Sequence, residues 1–544
     1  MTSNIHFISA GAGSGKTYTI TEQLEALLSN GQVAPSGVIA TTFTKLAAGE
    51  LKERVRSKLI ETGKLSVANQ MEQSLIGTVN GVCGELLRRF TFEAGMPPDQ
   101  LVLDEKQGDI LFFQAIEQAL DDNKPLIREM NAVCNRLQIV DRQKRLKWRE
   151  EIKSIADSAR SNNQNPAEIR DLGQASADSL LDHFPKITNR KLDDDLLGAI
   201  NHAISAIEGG DDATKGTADY LSLIRGIRAA LINRRMTWPE WIKLAKEKPT
   251  KKSLPFAEPI MDLAADYEKH PQLHKDIRFF AEHAFEIAAD SLEAYQLIKT
   301  NKGLIDFVDQ EQRLYQLLDN PAVASILREE LQLLMVDEFQ DTSPIQLALF
   351  LRLSTLADKV IWVGDIKQSI YGFRGADPTL MAAVVEQVVS DGYPPQILEK
   401  SWRSRPELVE YVNALFVAAF ANTLQPEQVT LQPARKAISQ ETAVEQWRLS
   451  GSNKSKRSKQ LANAVYQLST SGRTVIDKHN GKQRPLAWGD IAILCRTNAN
   501  LSETASALAA ANIPTRYKRA GLLATPEATL ALACLRRLID PLDT

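Results

Sequence analysis

The feature that most constrains this chain is a glycine-rich loop between a strand-like run and a helix-like run. The apolar run Ile5 to Ile8 leads into Ala10-Gly11-Ala12-Gly13-Ser14-Gly15-Lys16-Thr17, and a helical pattern covers Tyr18 to Leu28. In the order strand, loop, helix, such a loop surrounds phosphate groups with backbone N–H groups and with the positive end of a helix dipole. The order therefore predicts a nucleoside-triphosphate site within an α/β fold.

Each residue of the loop has an expected role. The backbone of Ala10, Gly11, Ala12, Gly13, Ser14 and Gly15 would cradle the phosphates, Lys16 would reach the β- and γ-phosphate oxygens, and the Thr17 hydroxyl would bind Mg²⁺. The general spacing has glycine where this chain has Ala10. A strand–turn–helix that merely contains Gly-Lys-Thr is the alternative. By itself the loop predicts an NTPase and does not say which reaction it drives.

Composition narrows the class of protein further. A chain of 544 residues is too long to fold around a single hydrophobic core, and its length predicts about three to four domains. The net charge of −3 creates no global field for nucleic acid, so any DNA binding would depend on local basic patches. The four scattered cysteines form no Cys-x-x-Cys pair, which disfavours a zinc site or a disulfide framework. Without a signal peptide or a long apolar run, we expect a cytoplasmic protein with no membrane contact.

Strand and helix signals divide the chain into four stretches. Strand-like runs alternate with helical patterns over residues 1–95 and again over 291–392, which is α/β layering. Residues 96–290 are mostly helical and are interpreted as an insertion. Residues 393–544 predict a second α/β segment with strands at Ile397–Lys400, Ala443–Leu449 and Ile491–Cys495, and with a polar basic loop at 451–459, interpreted either as a linker or as a DNA contact.

An acidic pair follows the predicted strand Leu333–Val336. Asp337 stands at the carboxyl end of that strand, where a carboxylate can hold Mg²⁺, usually through water. Glu338 beside it can orient and deprotonate an attacking water molecule. We therefore predict Asp337 as the metal residue and Glu338 as the general base, against the alternative of an ordinary acidic turn.

Longer strings carry a resemblance to a known family. Asp337-Glu338-Phe339-Gln340-Asp341, followed by the run from Val363-Gly364-Asp365 to Gly375-Ala376-Asp377, resembles the UvrD/Rep class of superfamily-one DNA helicases. Within it the chain looks most similar to the RecB/AddA helicase–nuclease branch. Further matches follow in the family's order at 41–48, 77–81, 305–309, 401–404 and 490–498.

The resemblance implies a fold and a division into domains. It implies a P-loop NTPase with two RecA-like parallel-sheet modules, of which the second is incomplete here. Residues 1–95 and 291–392 would form the first module, 96–290 its mostly helical insertion, and 393–544 the first part of the second module.

The resemblance also assigns residues around the nucleotide. Gln368 would sense the γ-phosphate, and Gln340 would do related work beside the acidic pair. Arg403 would reach the γ-phosphate from the second module as an arginine finger. Trp402, where the family has tyrosine, would stack on the adenine.

For DNA, the resemblance points to aromatic residues that stack on bases of single strands. Phe43 and Phe373 are favoured for this role over a place in the core, and Tyr371 is left open between the two. Thr42, Thr78 and Arg374 are further DNA-side candidates. Asn80 stands where the family has histidine, which puts a DNA contact there in doubt. Two basic clusters, around Trp148 (142–149) and after Trp238 and Trp241 (243–252), are interpreted either as DNA-tracking grooves or as solvated helix faces with core tryptophans.

The function implied is an ATP-dependent 3′–5′ DNA helicase or translocase using ATP and Mg²⁺. Its partners would be single-stranded DNA, duplex ends and a nuclease or helicase subunit, in end processing, recombinational repair or defence against foreign DNA. Two later family motifs, Thr-x-His-x-x-Lys-Gly-Leu-Glu and Tyr-Val-Ala-x-Thr-Arg, do not occur in the 544 residues, so a fragment or a split gene is expected. The alternative is an ATP- and DNA-binding module without turnover of its own.

Overall fold

The structure is a computed structural model that describes residues 5–97, 100–121, 123–370, 372, 375–436, 442–477, 480–517 and 525–539. The chain divides into two compact units, residues 1–439 and 440–544.

A parallel β-sheet forms the centre of the first unit. The strands of this unit are β1 (Ile5–Ala10), β2 (Val38–Thr42), β3 (Leu75–Thr78), β4 (Leu101–Val102), β5 (Leu304–Ile305), β6 (Leu333–Asp337), β7 (Lys359–Gly364), β8 (Gln396–Leu398), β9 (Lys400–Ser401) and β10 (Gln432–Pro433). Six of them pair in the order β3-β2-β6-β7-β1-β8, all parallel. Their continuous apolar runs fit a sheet that is covered on both faces. The α/β class predicted from the sequence is thereby confirmed.

Helices surround the sheet and build the insertion. They are α1 (Lys16–Ser29), α2 (Lys45–Glu61), α3 (Leu65–Gln70), α4 (Val79–Arg89), α5 (Glu105–Leu120), α6 (Lys124–Leu137), α7 (Trp148–Ser161), α8 (Pro166–Leu181), α9 (Leu192–Glu208), α10 (Lys215–Ile232), α11 (Trp238–Leu244), α12 (Leu254–Ala265), α13 (Pro271–Asn301), α14 (Phe307–Leu317), α15 (Pro321–Glu330), α16 (Pro344–Ser354), α17 (Pro378–Ser390), α18 (Pro406–Ala419) and α19 (Pro426–Val429).

The sheet separates two hydrophobic cores, and β7 contributes to both by strand alternation. Ile361 and Val363 face the core that α1 and α2 complete, whereas Val360 and Trp362 face the core formed with α4, α14, α16 and α17. Successive side chains of a strand point to opposite faces, so one apolar run serves both layers. The two cores hold the carboxyl edge of the sheet in place, where the predicted site residues lie.

Neighbouring strands connect the helical insertion to the sheet region within the first unit. β4 pairs in parallel with β5, with Leu101 beside Leu304 and Val102 beside Ile305. Between them the 31-residue helix α13 packs against α5, α7 and α8. Trp148, Trp238 and Trp241 are buried in the cores of this insertion. The structure therefore favours core tryptophans over stacking platforms in both basic clusters.

One predicted strand belongs elsewhere than expected. The sequence pattern places Ile397–Lys400 at the start of the second α/β segment, but β8 pairs with β1 and extends the first sheet, while β9 pairs with β10. Residues 393–436 lie in the first compact unit. The apolar pattern predicts a strand correctly, yet the partner depends on which sheet edge is available, and this the pattern does not encode.

The second unit contains α20 (Lys454–Thr470), β11 (Thr474–Ile476), β12 (Gln483–Pro485), α21 (Asn498–Ala510) and α22 (Pro526–Ile539). β11 and β12 form an antiparallel pair, and α20 packs on α21 around Ala462, Val465, Leu508 and Ile513.

Two strand predictions in the second unit and one loop prediction are wrong. In the described residues, 443–449 and 491–495 do not pair as strands. Side-chain periodicity does not supply the neighbouring strand that a ladder requires. The basic stretch 451–459 becomes helical from Lys454, because the Asn453 side chain caps α20 by accepting a hydrogen bond of 2.9 Å from the Lys456 backbone N–H. The second RecA-like module as such stays a prediction.

All four cysteines are free. Among the residues that the structure describes, no helix combines the length and apolar character needed to cross a bilayer.

Candidate functional site

The glycine-rich loop joins β1 to α1 in the order that the sequence predicts. Ala10 is the last, fully buried residue of β1, and Lys16 is the first residue of α1. Gly13 and Gly15 have φ of +77° and +91°, left-handed values that favour glycine. The Ser14 N–H donates to the Gly11 carbonyl at 3.0 Å and tightens the turn. Because the loop ends at a helix N-terminus, its backbone amides are suited to an anion.

The acidic strand tip lies opposite the lysine of this loop. Lys16 Nζ forms an ion pair with Glu338 and lies 3.9 Å from Asp337 Oδ1. Glu338 has a left-handed φ of 55°, a conformation that costs a non-glycine residue energy and often marks functional sites. Its N–H donates to Asp337 Oδ1 at 2.9 Å. The structure thus brings Lys16, Asp337 and Glu338 together, as the sequence predicts.

Carboxylates outnumber cations at this strand tip. Burial, together with the nearby charge of Glu338, raises the pKa of Asp337 to about 6, although Lys16 opposes the shift. Burial and Glu338 likewise raise the pKa of Asp341 to about 6. Within the described part of the chain, the buried Asp341 Oδ1 has no hydrogen-bond partner. A divalent cation would relieve this excess of negative charge, so the residues present fit Mg²⁺.

The residues that could hold Mg²⁺ do not form a closed protein cage. Among the described residues there is no group of three or more His, Cys, Asp or Glu side chains arranged to hold a metal. Mg²⁺ typically uses one or two protein ligands and takes the rest from phosphate and water. Asp337 at the strand tip and the exposed Thr17 in the first turn of α1 fit that kind of shared site.

A second set of contacts joins the segment after β6 to the segment after β7. The Gln340 amide donates to Glu338 Oε2 at 2.7 Å and accepts from the Asp365 N–H at 2.9 Å. Asp365 accepts from the Gln368 side chain at 2.7 Å and pairs with Lys367 at 2.8 Å. A Cβ on Gly364 would lie 2.6 Å from the Gln340 amide oxygen, so glycine is needed there.

Asp365 is a residue that sequence reasoning missed. It is only 2% exposed, and it links both predicted glutamines through its backbone and its side chain. Its place directly after a buried strand, within the run that resembles the helicase family, could have indicated it. Gln368 points its amide nitrogen at this carboxylate.

Trp402 and Arg403 lie directly against the glycine-rich loop. The Trp402 backbone N–H donates to the Gly13 carbonyl at 2.8 Å. A Cβ on Gly13 would lie 2.6 Å from the Arg403 Cβ. The Trp402 ring lies 3.6 Å from the Cβ position of Gly15 and is 59% exposed. The resemblance assigns both residues to the second module, but they belong to the first compact unit. Leu431, also missed from the sequence, lies 3.1 Å from the Cβ position of Gly11.

Three DNA candidates lie at the same carboxyl edge of the sheet. Thr42 and Thr78 are register partners at the ends of β2 and β3, and the half-buried Phe43 follows Thr42. Both hydroxyls also have structural tasks, because Thr42 donates to the Thr44 carbonyl at 3.1 Å and Thr78 caps α4 through the Gly81 N–H at 3.2 Å. The remaining candidates Tyr371, Phe373 and Arg374 lie outside the described residues.

Comparison with known proteins identifies the family. Residues 1–388 match the UvrD/REP helicase N-terminal domain. An ATP-dependent helicase/nuclease subunit from Syntrophomonas wolfei subsp. wolfei is 27% identical over 463 residues, 75% of this chain and 36% of that protein. The proteins of the same name from Lactobacillus acidophilus and Listeria innocua are 24% and 23% identical, over 93% and 98% of this chain and 48% and 49% of theirs.

The chain spans about a third to a half of the length of these curated relatives. The matched family covers most of the chain, including the glycine-rich loop, the helical insertion and the acidic strand. The order and chemistry of the site agree with that match, and the chain therefore belongs to the UvrD/REP helicase family.

Proposed function

We propose that this chain carries the ATP-hydrolysing site of a DNA helicase or translocase of the UvrD/AddA type that moves 3′–5′ on single-stranded DNA. The observation that supports it best is the Lys16 side chain between the glycine-rich loop and the Asp337–Glu338 pair. The relatives named above are ATP-dependent helicase/nuclease subunits. We propose that the protein acts in the cytoplasm, in the processing of DNA double-strand ends, in recombinational repair or in defence against foreign DNA.

The residues of the loop bind and orient the triphosphate. The amides from Ala10 to Gly15, which include those of Gly11, Ala12, Gly13 and Ser14, would face the phosphate oxygens, and Lys16 would exchange its bond to Glu338 for the β- and γ-phosphates. Trp402, which is exposed beside Gly15, would stack on the adenine. Mg²⁺, held by Thr17 and Asp337, would neutralise charge that develops on the phosphates.

Glu338 then serves as the general base for the attacking water. Its carboxylate accepts from Gln340 at 2.7 Å, which fixes its orientation. Gln368, linked to Gln340 through Asp365, would follow the γ-phosphate and its loss. Arg403, held against Gly13, would stabilise charge in the transition state.

DNA would lie along the carboxyl edge of the sheet. Phe43, with Tyr371 and Phe373, would stack on bases, and Thr42, Thr78 and Arg374 would contact the strand. The proposed partners are duplex DNA ends and a nuclease or helicase subunit. For the second partner, the word "subunit" in the relatives' names indicates that those proteins act with another chain.

The proposed domain division keeps residues 1–95 and 291–392 as one motor module with the insertion 96–290. The pairing of β8 with β1 supports moving part of 393–544 to the first module. The remainder is proposed to begin a second motor module.

A rival function is an ATP- and DNA-binding module without turnover of its own. In this alternative the site would need a partner to complete it. ATP turnover of the chain with increasing single-stranded DNA separates the two. We expect stimulated turnover that Glu338→Gln reduces about 100- to 10,000-fold while ATP binding persists. Tight binding of ATP and DNA without turnover would favour the rival, and Lys16→Ala is the control that loses ATP binding.

A further inference from the structure

A buried ion cluster joins the helical insertion to the motor sheet. Arg160, near the end of α7, donates to Asp306 Oδ1 at 2.5 Å and lies 3.1 Å from Asp309 Oδ1. These two aspartates form the capping box that starts α14. The end of the insertion helix is thereby attached to the first turn of a motor helix.

The cluster is closed from a second side by α13. Tyr295 donates to Asp306 Oδ2 at 2.9 Å, and Lys299 contacts Asp306 at 3.0 Å and also pairs with Asp309. Although burial raises the pKa of Asp306, Arg160 and Lys299 bring it below its usual value. Two cations and two carboxylates balance each other, so removing one cation leaves a carboxylate uncompensated in a buried place.

From α14 the contacts continue to the segment that carries the general base. Glu311 accepts from the Gln346 amide at 2.7 Å. Gln346 in turn accepts from the Ser343 N–H at 3.2 Å and donates its own N–H to the Ser343 hydroxyl at 3.4 Å. Ser343 follows Glu338 by five residues, after the short turn that contains Gln340 and Asp341.

A second route runs from the same helix end. Ser161, next to Arg160, lies 3.3 Å from the Cβ position of Gly375, which has a left-handed φ of +86°. Gly375 is also close to Ser343, at 3.9 Å from the same position. The Gln312 amide donates to the Arg160 carbonyl at 3.0 Å. The helix end thus contacts the segment that follows β7, and through Gly375 this segment lies next to Ser343 in the segment that follows β6.

We propose that Arg160 is a positioning residue for ATP hydrolysis, through which the helical insertion sets the alignment of residues 338–343. The inference rests on the proposed function, and it adds a role for the insertion that is separate from DNA contact. Both contacts come from the same Arg160 nitrogen, Nη2, so one buried cation on the insertion holds the two carboxylates at the start of α14 together. The base at Glu338 depends on such alignment, because small misplacement of a catalytic group reduces rate strongly.

The test compares Arg160→Gln with a matched control inside the insertion. Arg170 contacts Asp290 at 2.6 Å and Glu293 at 3.1 Å, nearly the same distances, but both partners lie on α13 and neither lies on α14. We expect Arg160→Gln to lower kcat about 10- to 100-fold with the KM for ATP within about twofold. Arg160→Lys should recover part of the loss, and Arg170→Gln should resemble the unmodified chain.

A readout without turnover separates this inference from the proposed function. Amide hydrogen exchange of peptides that cover 338–346 should accelerate in Arg160→Gln, while exchange in β1 and α1 stays unchanged. If the unmodified chain shows no DNA-stimulated turnover, the proposed function fails, and the exchange pattern still decides the inference. Unchanged exchange over 338–346, or uniform acceleration along the whole chain, would overturn it.

A second variant covers the case in which Arg160→Gln does not fold. Gln346→Ala leaves the ion cluster intact and removes the side chain that joins Glu311 to the Ser343 N–H, while the bond from the residue 346 backbone N–H to the Ser343 hydroxyl can remain. Because Gln346 is only half-buried, the variant should fold. We expect the same loss in kcat and the same local acceleration of exchange. A Gln346→Ala chain with normal kcat and normal exchange would contradict the route from α14 to the base.

Discussion

Gln340 lies beside Glu338 and donates a hydrogen bond of 2.7 Å from its amide nitrogen to the carboxylate of that residue. Its amide oxygen is occupied at the same time by the Asp365 N–H at 2.9 Å. The side chain is 2% exposed and has one orientation that satisfies both partners. Glu338, the proposed general base, is thereby tied to the segment after β7 that contains Gln368, the proposed γ-phosphate sensor.

Replacing this amide by a carboxylate tests that arrangement. Gln340→Glu would still accept from Asp365 but would place a second carboxylate against Glu338. We expect a loss in kcat of about 10- to 100-fold and a loss in unfolding free energy of about 1–3 kcal/mol, measured by steady-state ATP turnover and by urea denaturation.

The control for this change is Gln332→Glu. Gln332 also accepts a backbone hydrogen bond through its side-chain oxygen, from the Ala34 N–H at 2.7 Å, and it precedes β6 at the other edge of the sheet. Glutamate can replace that acceptor, so kcat should not change. Equal effects of the two substitutions on kcat would contradict the role of Gln340.

A methyl group at Gly13 should abolish tight ATP binding. The Cβ of Gly13→Ala would lie 2.6 Å from the Arg403 Cβ, at a φ of +77°. The chain must therefore move residues 401–403 away from the glycine-rich loop. We expect ATP affinity, measured by titration calorimetry, to fall at least about 10-fold. Backbone strain should in addition lower the free energy of unfolding by about 1 kcal/mol.

Gly31→Ala separates strain from contact. Gly31 has a similar φ of +73°, and the described residues leave open space around its Cβ position. Its substitution should lower stability by a similar amount, about 1 kcal/mol, and leave ATP affinity unchanged. An equal loss of ATP affinity in both variants would show that the contact with Arg403 is not responsible.

The stability of the first unit should depend on pH through Glu311. Burial raises the pKa of this carboxyl from its ordinary value of 4.5 to about 7, although the Gln346 hydrogen bond opposes the shift. Between these two values the folded chain holds a proton that the unfolded chain has released. Stability therefore decreases as pH rises from about 4.5 to about 7, and the loss is complete above that range.

Glu311→Gln removes this proton dependence. We expect the variant to gain about 1–3 kcal/mol of unfolding free energy relative to the unmodified chain as pH rises through this range. The measurement is urea denaturation at several pH values. A difference that does not change with pH would contradict the raised pKa.

DNA binding should weaken when Phe43 loses its ring. We expect Phe43→Ala to reduce affinity for a labelled single-stranded oligonucleotide about 5- to 160-fold, which corresponds to about 1–3 kcal/mol of base stacking. Basal ATP turnover should change little. Fluorescence anisotropy at fixed salt measures the affinity.

Phe92→Ala is the control for the loss of an aromatic ring. Phe92 is 91% exposed and has no proposed DNA role. The variant should bind the oligonucleotide like the unmodified chain. Normal DNA affinity in Phe43→Ala would assign Phe43 to the fold instead of the DNA surface.

Local chemistry by itself determined the nucleotide half of the site. The turn from β1 into α1 depends on residues within a few positions of one another. Gly13 and Gly15 permit its left-handed backbone angles, and α1 begins at Lys16. The strand that ends in Asp337 depends on four neighbouring apolar side chains. Such patterns are readable because their physical cause is contained in the segment that shows them.

Only the tertiary structure decided which distant segments meet. β8 joins β1, from which it is separated by nearly four hundred residues. The Trp402 backbone N–H bonds to the Gly13 carbonyl, and Arg160 bonds to Asp306, which is 146 residues away in the sequence. These partners are chosen by available sheet edges and by the need to neutralise buried charge, which depend on the packed chain as a whole.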